Sequence, residues 1–305
     1  TGNYFARNIH MQGRLREAKT AYLPFRLPQS DDQPVTVELW YKGADRFMAY
    51  ARAADGSQVA VEPGQNAPLT GLDGHEIGRL YNRLNDPNNG DNLIALILRS
   101  QAMAGSWLLA ARGLDVVDGR WHAWIERNAA NPKAQAVFER ELASPDGTTG
   151  SICNAMRTIA VGAYDAHDPD RRLARFSSVG PTRDGRRKPL LAAPGVRVLS
   201  VSSRGSAAEP ATYVRMSGTS MAAPHVAGTA ALMLQAAGPQ PISAIRNALF
   251  STLAPPGPAP SGEEARWGYG ILDIEAAVLA ARRLGASSRD GPPWSGQPAS
   301  AATAG

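Results

Sequence analysis

Ser217-Gly218-Thr219-Ser220-Met221-Ala222-Ala223-Pro224-His225-Val226-Ala227-Gly228 is the stretch that decides how this chain is read. Gly218 lets the backbone turn sharply just before a serine. From Ser220 to about Ala237 the residues read as one helix, with Pro224 placed in its first turn. A serine at a helix N-terminus lies beside free backbone N–H groups and the positive end of the helix dipole. Developing negative charge is stabilised there, which is what acyl transfer needs. The residues that follow, among them Ala222, Ala223, Val226, Ala230, Leu232, Met233 and Leu234, are apolar almost all round, and that pattern predicts a buried helix. Two readings stand at this point: a reactive hydroxyl on a rigid central element, and an ordinary Ser N-cap.

On either side of this stretch the chain mixes short strands with helices. Residues 157–162 and 195–202 read as buried strands. Residues 241–250 carry Ile242, Ile245 and Leu249 at helical spacing, and 273–284 read as a last amphipathic helix. That mixture predicts α/β layering from 151 to 284. The tail, 285–305, is rich in Gly, Ser, Pro and Ala and reads as a disordered linker. Residues 14–150 have a different character. Val35, Val37, Leu39 and Tyr41 alternate with Thr36, Glu38 and Trp40, the period of a half-buried strand. Residues 46–52, 92–99, 106–112 and 120–126 read as further strands, separated by turn clusters such as Ala54-Asp55-Gly56 and Asp118-Gly119. An all-β sandwich or jelly roll is expected there, preceded by a short segment, 1–13.

The totals fit this picture. The 305 residues are 43% hydrophobic, enough for a sizeable core, and the 30 glycines and 23 prolines suit a turn-rich fold. Lys and Arg number 32 against 27 Asp and Glu, a mild excess of +5 with no clustering beyond the 183–188 stretch, so a nucleic-acid surface is not expected. No run of about 18 apolar residues occurs, so no transmembrane helix is expected. The single cysteine, Cys153, excludes an internal disulfide framework and a Cys-based zinc site, and it reads as a small apolar residue.

The run from Ser217 to Gly228 resembles, residue for residue, the active-site serine motif of the subtilisin-like serine proteases. Phe176-Ser177-Ser178-Val179-Gly180-Pro181-Thr182 with Asp184-Gly185-Arg186, Lys188-Pro189 with Ala193-Pro194-Gly195, Thr158 to Ala163, and Gly268 to Asp273 resemble further segments of that family in the same order. Leu190 stands where the family usually has Asp. Thr1-Gly2-Asn3 resembles the family's short turn carrying the oxyanion-hole asparagine, and one branch of the family inserts a jelly-roll domain after that turn. The resemblance implies a mostly parallel subtilisin-like sheet with flanking helices, incomplete here and interrupted by the β insert. It implies a serine endopeptidase acting on protein or peptide substrates, with Ser220 as nucleophile, Asn3 as oxyanion donor, and Gly218 and Thr219 at the substrate. It also implies a secreted or cell-envelope bacterial setting.

Two parts of that machinery are missing from the sequence. None of the five histidines, His10, His75, His122, His167 and His225, sits in the family's base motif, and no Asp sits in its carboxylate motif. The family's chain order is Asp, His, Asn, Ser, so with Asn at position 3 both missing residues are expected upstream of Thr1. His225 and His10 read as structural residues, His122 as a strand residue, and His75 and His167 as loop residues. No cofactor is expected. Members of the family often bind calcium, but the Asp86-Pro87-Asn88-Asn89-Gly90-Asp91 run reads as a plain turn, because Ile97 stands where an EF-hand loop needs Glu. The rival readings are a pseudoprotease or binding module in which the β insert recognises a partner, and a non-peptidase acyl hydrolase using the same serine.

Overall fold

A computed structural model of the chain describes residues 1–28, 33–99, 104–127, 134–202 and 212–289. The chain divides into two compact units, one of Thr1–Ala160 with Ala174–Pro189, the other of Val161–Leu173 with Leu190–Gly305. Overall it is a mixed α/β protein.

The first unit is built from β1 (His10–Arg14), β2 (Thr20–Leu27), β3 (Val35–Tyr41), β4 (Arg46–Arg52), β5 (Gln58–Val61), β6 (Asn66–Thr70), β7 (Glu76–Arg83), β8 (Asn92–Leu98), β9 (Gly105–Asp115), β10 (Arg120–Ile125) and β11 (Val137–Phe138). They form a six-stranded sheet in the order β1-β10-β3-β8-β7-β6 and a five-stranded sheet in the order β11-β2-β9-β4-β5. Every ladder in the two sheets is antiparallel. The alternation read in β3 is what the sheet uses. Val35, Val37, Leu39 and Tyr41 are buried in one cluster with Leu23, Phe25, Phe47 and Trp107 of the other sheet. A slip of one residue would turn that whole set to the opposite face, so burial fixes the register. Tyr41 stacks on Phe47 at 4.2 Å, and its hydroxyl donates to Asn82 Oδ1 at 3.1 Å.

This sheet structure begins earlier than the boundary at 14 read from the sequence. β1 pairs His10 with Trp124 and Arg14 with Arg120, so residues 10–13 belong to the six-stranded sheet. The strands β2, β5, β6, β7 and β11 are further additions to those expected from sequence. Residues 174–189, which carry the Phe176 to Arg186 segment, fall in the same compact unit as the sheets.

In the second unit β12 (Val161–Tyr164) pairs in parallel with β13 (Leu191–Pro194), and a parallel bridge joins Ala192 to Ile271. β14 (Val198–Val201) and β15 (Tyr213–Met216) form an antiparallel hairpin. The helices are α1 (Thr219–Ala237), α2 (Ile242–Ser251) and α3 (Ile274–Arg289). Within this unit the parallel pairing thus surrounds β13. Strand β12 starts later than the 157–162 expectation. α3 runs on to Arg289, past the boundary at 284; the remainder of the expected linker lies outside the described residues. None of the three helices is long and apolar enough to cross a membrane, judged over the described residues.

The all-round burial expected of α1 is not what the structure shows. Its buried residues, Thr219, Ala222, Val226, Thr229, Met233 and Ala237, form one stripe at spacings of three and four, packed against α3, β12 and β13. Leu232 and Leu234, on other faces, are 47% and 44% exposed. Small side chains make a helix apolar by composition without deciding how many of its faces are covered.

Candidate active site

Ser220 is the second residue of α1 and its side chain is exposed. Position N2 puts its backbone N–H among the first-turn amides that have no intrahelical acceptor, at the positive end of the helix dipole. Gly218 is the N-cap, at a bend with φ 158° and ψ 161°. Its N–H donates to Gly195 O at 2.8 Å, and its carbonyl accepts the Met221 N–H at 3.0 Å. The close approach requires glycine at 195. A Cβ on Gly195 would lie 2.5 Å from Ala163 Cβ and 3.0 Å from Gly218 O. Thr219 is buried at the head of the helix.

Pro224 is the sixth helical residue and not part of the first turn. It brings no N–H to the Ser220 carbonyl, where an i+4 amide would otherwise donate. His225 Nδ1 donates to Met221 O at 2.9 Å, and Thr229 Oγ1 donates to the His225 carbonyl at 2.7 Å, so this histidine is tied into its own helix. His167 lies exposed on the turn after Asp165, whose carboxylate accepts the His167 N–H at 2.9 Å. Among the described residues no histidine is hydrogen-bonded to the Ser220 hydroxyl.

Asn3 lies in the first unit, half-buried at a bend. Gly2, before it, has φ +116°, a conformation natural to glycine, and a Cβ there would lie 3.2 Å from Ser178 Oγ. The Gly2 carbonyl accepts the Ser178 N–H at 3.0 Å, and the Tyr4 N–H donates to Ser178 Oγ at 2.9 Å. Ser178 is fully buried. Sequence reading quoted this serine only as part of a motif. Its partners lie about 174 positions away, and no periodicity encodes a contact of that range.

The remaining candidates have structural surroundings. His10 stacks on Trp124 at 4.9 Å, and His10 Nε2 and His122 Nδ1 share a hydrogen bond of 3.1 Å. Burial, then the neighbouring His122, pushes the His10 pKa down to about 3. Burial, then Arg183 and Arg120, pushes His122 down to about 4. Cys153 is buried, with its Sγ 2.9 Å from Gly150 O. In the 86–91 turn the Asp86 carboxylate accepts the Asn88 N–H, and Asp91 is ion-paired with Lys42 and Arg183. Among the described residues no group of three or more His, Cys, Asp or Glu side chains is gathered as a metal site.

Comparison with known proteins follows the same residues. A sequence profile of the subtilase family matches residues 125–270. Subtilisin Savinase of Lederbergia lenta is 36% identical over 198 residues, covering 61% of this chain and 67% of that protein. Subtilisin DY of Bacillus licheniformis is 39% identical over 120 residues, and serine protease AprX of Bacillus subtilis 44% over 91. The chain spans only 36% and 21% of the lengths of these last two. In structure it resembles the CspB protease of Clostridium perfringens, with a TM-score of 0.69 at 20% identity, over 92% of this chain and 58% of that one. At that identity the likeness speaks for the fold.

Proposed function

The chain belongs to the subtilase family, and on that premise we propose that it is the nucleophile-bearing part of a serine endopeptidase. The observation that carries this reading is the placement of Ser220: an exposed hydroxyl at the second position of α1, on a helix whose inner stripe is anchored in its unit. Ser220 Oγ attacks a peptide carbonyl carbon while an imidazole takes its proton. The oxyanion is stabilised by the Ser220 N–H and the Asn3 side-chain amide, with Gly218 and Thr219 beside the bound substrate. Collapse breaks the C–N bond, and the protonated imidazole supplies a proton to the leaving amine. Water then releases the acyl group from Ser220. This scheme is the family's own. The imidazole and its orienting carboxylate have no family motif among the 305 residues, and this reading assigns them to polypeptide outside those residues.

The two antiparallel sheets of the first unit are read as a jelly-roll-type insert between the Asn3 turn and the rest of the catalytic domain. The substrate is a protein or peptide, no cofactor is needed, and the bacterial relatives named subtilisin point to a secreted or cell-envelope setting. The absence of a histidine partner for Ser220 among the described residues also suits a second reading, a pseudoprotease whose insert recognises a partner.

The test is Ser220→Ala in the full-length natural protein. Loss of both peptide turnover and fluorophosphonate labelling supports the enzyme. Labelling that persists in the alanine variant removes Ser220 from the mechanism. A wild-type protein that is inert and unlabelled favours the pseudoprotease.

A further inference from the structure

Ser178 holds both peptide groups that flank Asn3. The peptide plane before Asn3 contains the Gly2 carbonyl, which accepts the Ser178 N–H at 3.0 Å. The plane after Asn3 contains the Tyr4 N–H, which donates to Ser178 Oγ at 2.9 Å. With two soft dihedrals per residue, fixing the planes on either side of a residue fixes its φ and ψ. One buried serine therefore sets the direction in which the Asn3 side chain leaves the backbone. We infer that Ser178 is a positioning residue for the Asn3 amide, an inference that rests on the proposed role of Asn3 as oxyanion donor.

The surroundings make Ser178 a rigid reference. Its neighbour Val179 is laced to Thr148, whose N–H donates to Val179 O at 2.9 Å, while the Gly147 N–H donates to Gly180 O at 3.1 Å. On the other side the Phe5 N–H donates to Phe176 O at 3.3 Å. The segment from Phe176 to Gly180 is thus tied on one flank to the Asn3 turn and on the other to residues 147–148. The residue type follows from reach. An oxygen one carbon from the backbone meets the Tyr4 N–H while the serine's own N–H meets Gly2 O. Alanine keeps the second bond and loses the first. The Tyr4 N–H would then be left without that acceptor, and the turn could rotate away from the oxyanion.

Catalysis by an oriented donor is sensitive to placement, and an error of about 1 Å costs on the order of 10²-fold. Substrate binding does not use the developing oxyanion, so the loss belongs in kcat. The experiment measures kcat and KM for a chromogenic peptide in the full-length protein, in wild type, Ser178→Ala, Asn3→Ala and the double variant, with melting temperatures alongside. The expected result for Ser178→Ala is a kcat lower by roughly tenfold or more with KM changed less than about threefold. In the Asn3→Ala background, already down by the ~10²–10³-fold that belongs to subtilisin itself, Ser178→Ala should cost nothing further. If Ser178→Ala is too unstable to purify, Ser178→Cys replaces the hydroxyl by a slightly larger thiol whose sulfur is a weak acceptor, and it is read the same way. Wild-type kcat in the serine variant beside a crippled Asn3→Ala overturns the positioning role and leaves the oxyanion reading intact. Losses that multiply in the double variant overturn it too, because Ser178 then acts independently of Asn3. An active Asn3→Ala overturns the oxyanion reading itself.

Discussion

His10 and His122 are two imidazoles that share one hydrogen bond and face Trp124, and the fold holds both neutral. Their folded pKa values, about 3 and about 4, lie below the ordinary 6.5. Between those values and 6.5 the unfolded chain binds more protons than the folded one, so stability rises with pH across that window and is lost as pH falls through it. Glu38 and Asp146, whose carboxyls burial pushes upward, contribute with the opposite sign, in the window that opens just above the usual carboxylate range. The net prediction is a fall in melting temperature on acidification from about pH 6.5 toward 4, and a flatter slope in His10→Asn, which no longer titrates there. Equal slopes for the two proteins would show that the pair does not set the acid limit. At this scale the sequence was legible where chemistry is contiguous: Ser220 stands inside twelve consecutive residues that can be read as a unit. It was illegible where chemistry is assembled by the fold. The His10–His122 bond spans 112 positions and the Ser178–Tyr4 bond 174, and nothing local marks either.

Among the elements, β3 could be read because its two faces differ, and β1 could not because it is an edge strand with only five residues. Yet β1 brings Met11 into the common core and His10 onto the Trp124 stack. The turn from β9 to β10 has its own fixed anchor. The buried Asp45 carboxylate accepts the N–H groups of Val117, Asp118 and Gly119 at 2.6, 2.9 and 2.9 Å. With its own core and its own turns, the two-sheet element should fold as a separate polypeptide of residues 9–144, melting cooperatively. A version starting at Arg14 loses Met11 from the core and uncovers β10. It should be destabilised by several kcal/mol, the scale of deleting a buried methionine together with its strand pairing. Thermal unfolding followed by far-UV circular dichroism compares the two. Equal stability would place the element's boundary where sequence composition put it, at 14. The opposite error occurred at α1, where a run of small apolar residues suggested burial on every side. Ala and Gly are compatible with a covered face or an open one, so the structure had to decide.

For the molecule as a whole, the prediction concerns the 305 residues by themselves: purified alone, they should not cleave peptides. Ser220 is an ordinary alcohol unless a base within hydrogen-bond reach takes its proton. His225 spends its Nδ1 proton on Met221 O, and His167 sits on an exposed turn. His10 and His122 are bonded to each other, and His75 follows an Asp73 turn in the first unit. The same polypeptide leaves apolar side chains uncovered in its second unit. Val201, Tyr213 and Met216 of the β14–β15 hairpin are 60%, 73% and 51% exposed, in addition to Leu232 and Leu234 of α1. Exposed apolar residues in that number mark surfaces that other protein covers or that drive association. The isolated chain should therefore bind a hydrophobic dye such as ANS and self-associate, and it should leave casein and a chromogenic peptide intact. On the proposed reading, adding a polypeptide that supplies the base should restore turnover, and suppression of dye binding in the same experiment would show that it also covers the exposed apolar side chains. Ser220-dependent cleavage by the isolated chain would defeat the prediction. It would require one of the five histidines to leave the contacts described here and reach the Ser220 hydroxyl.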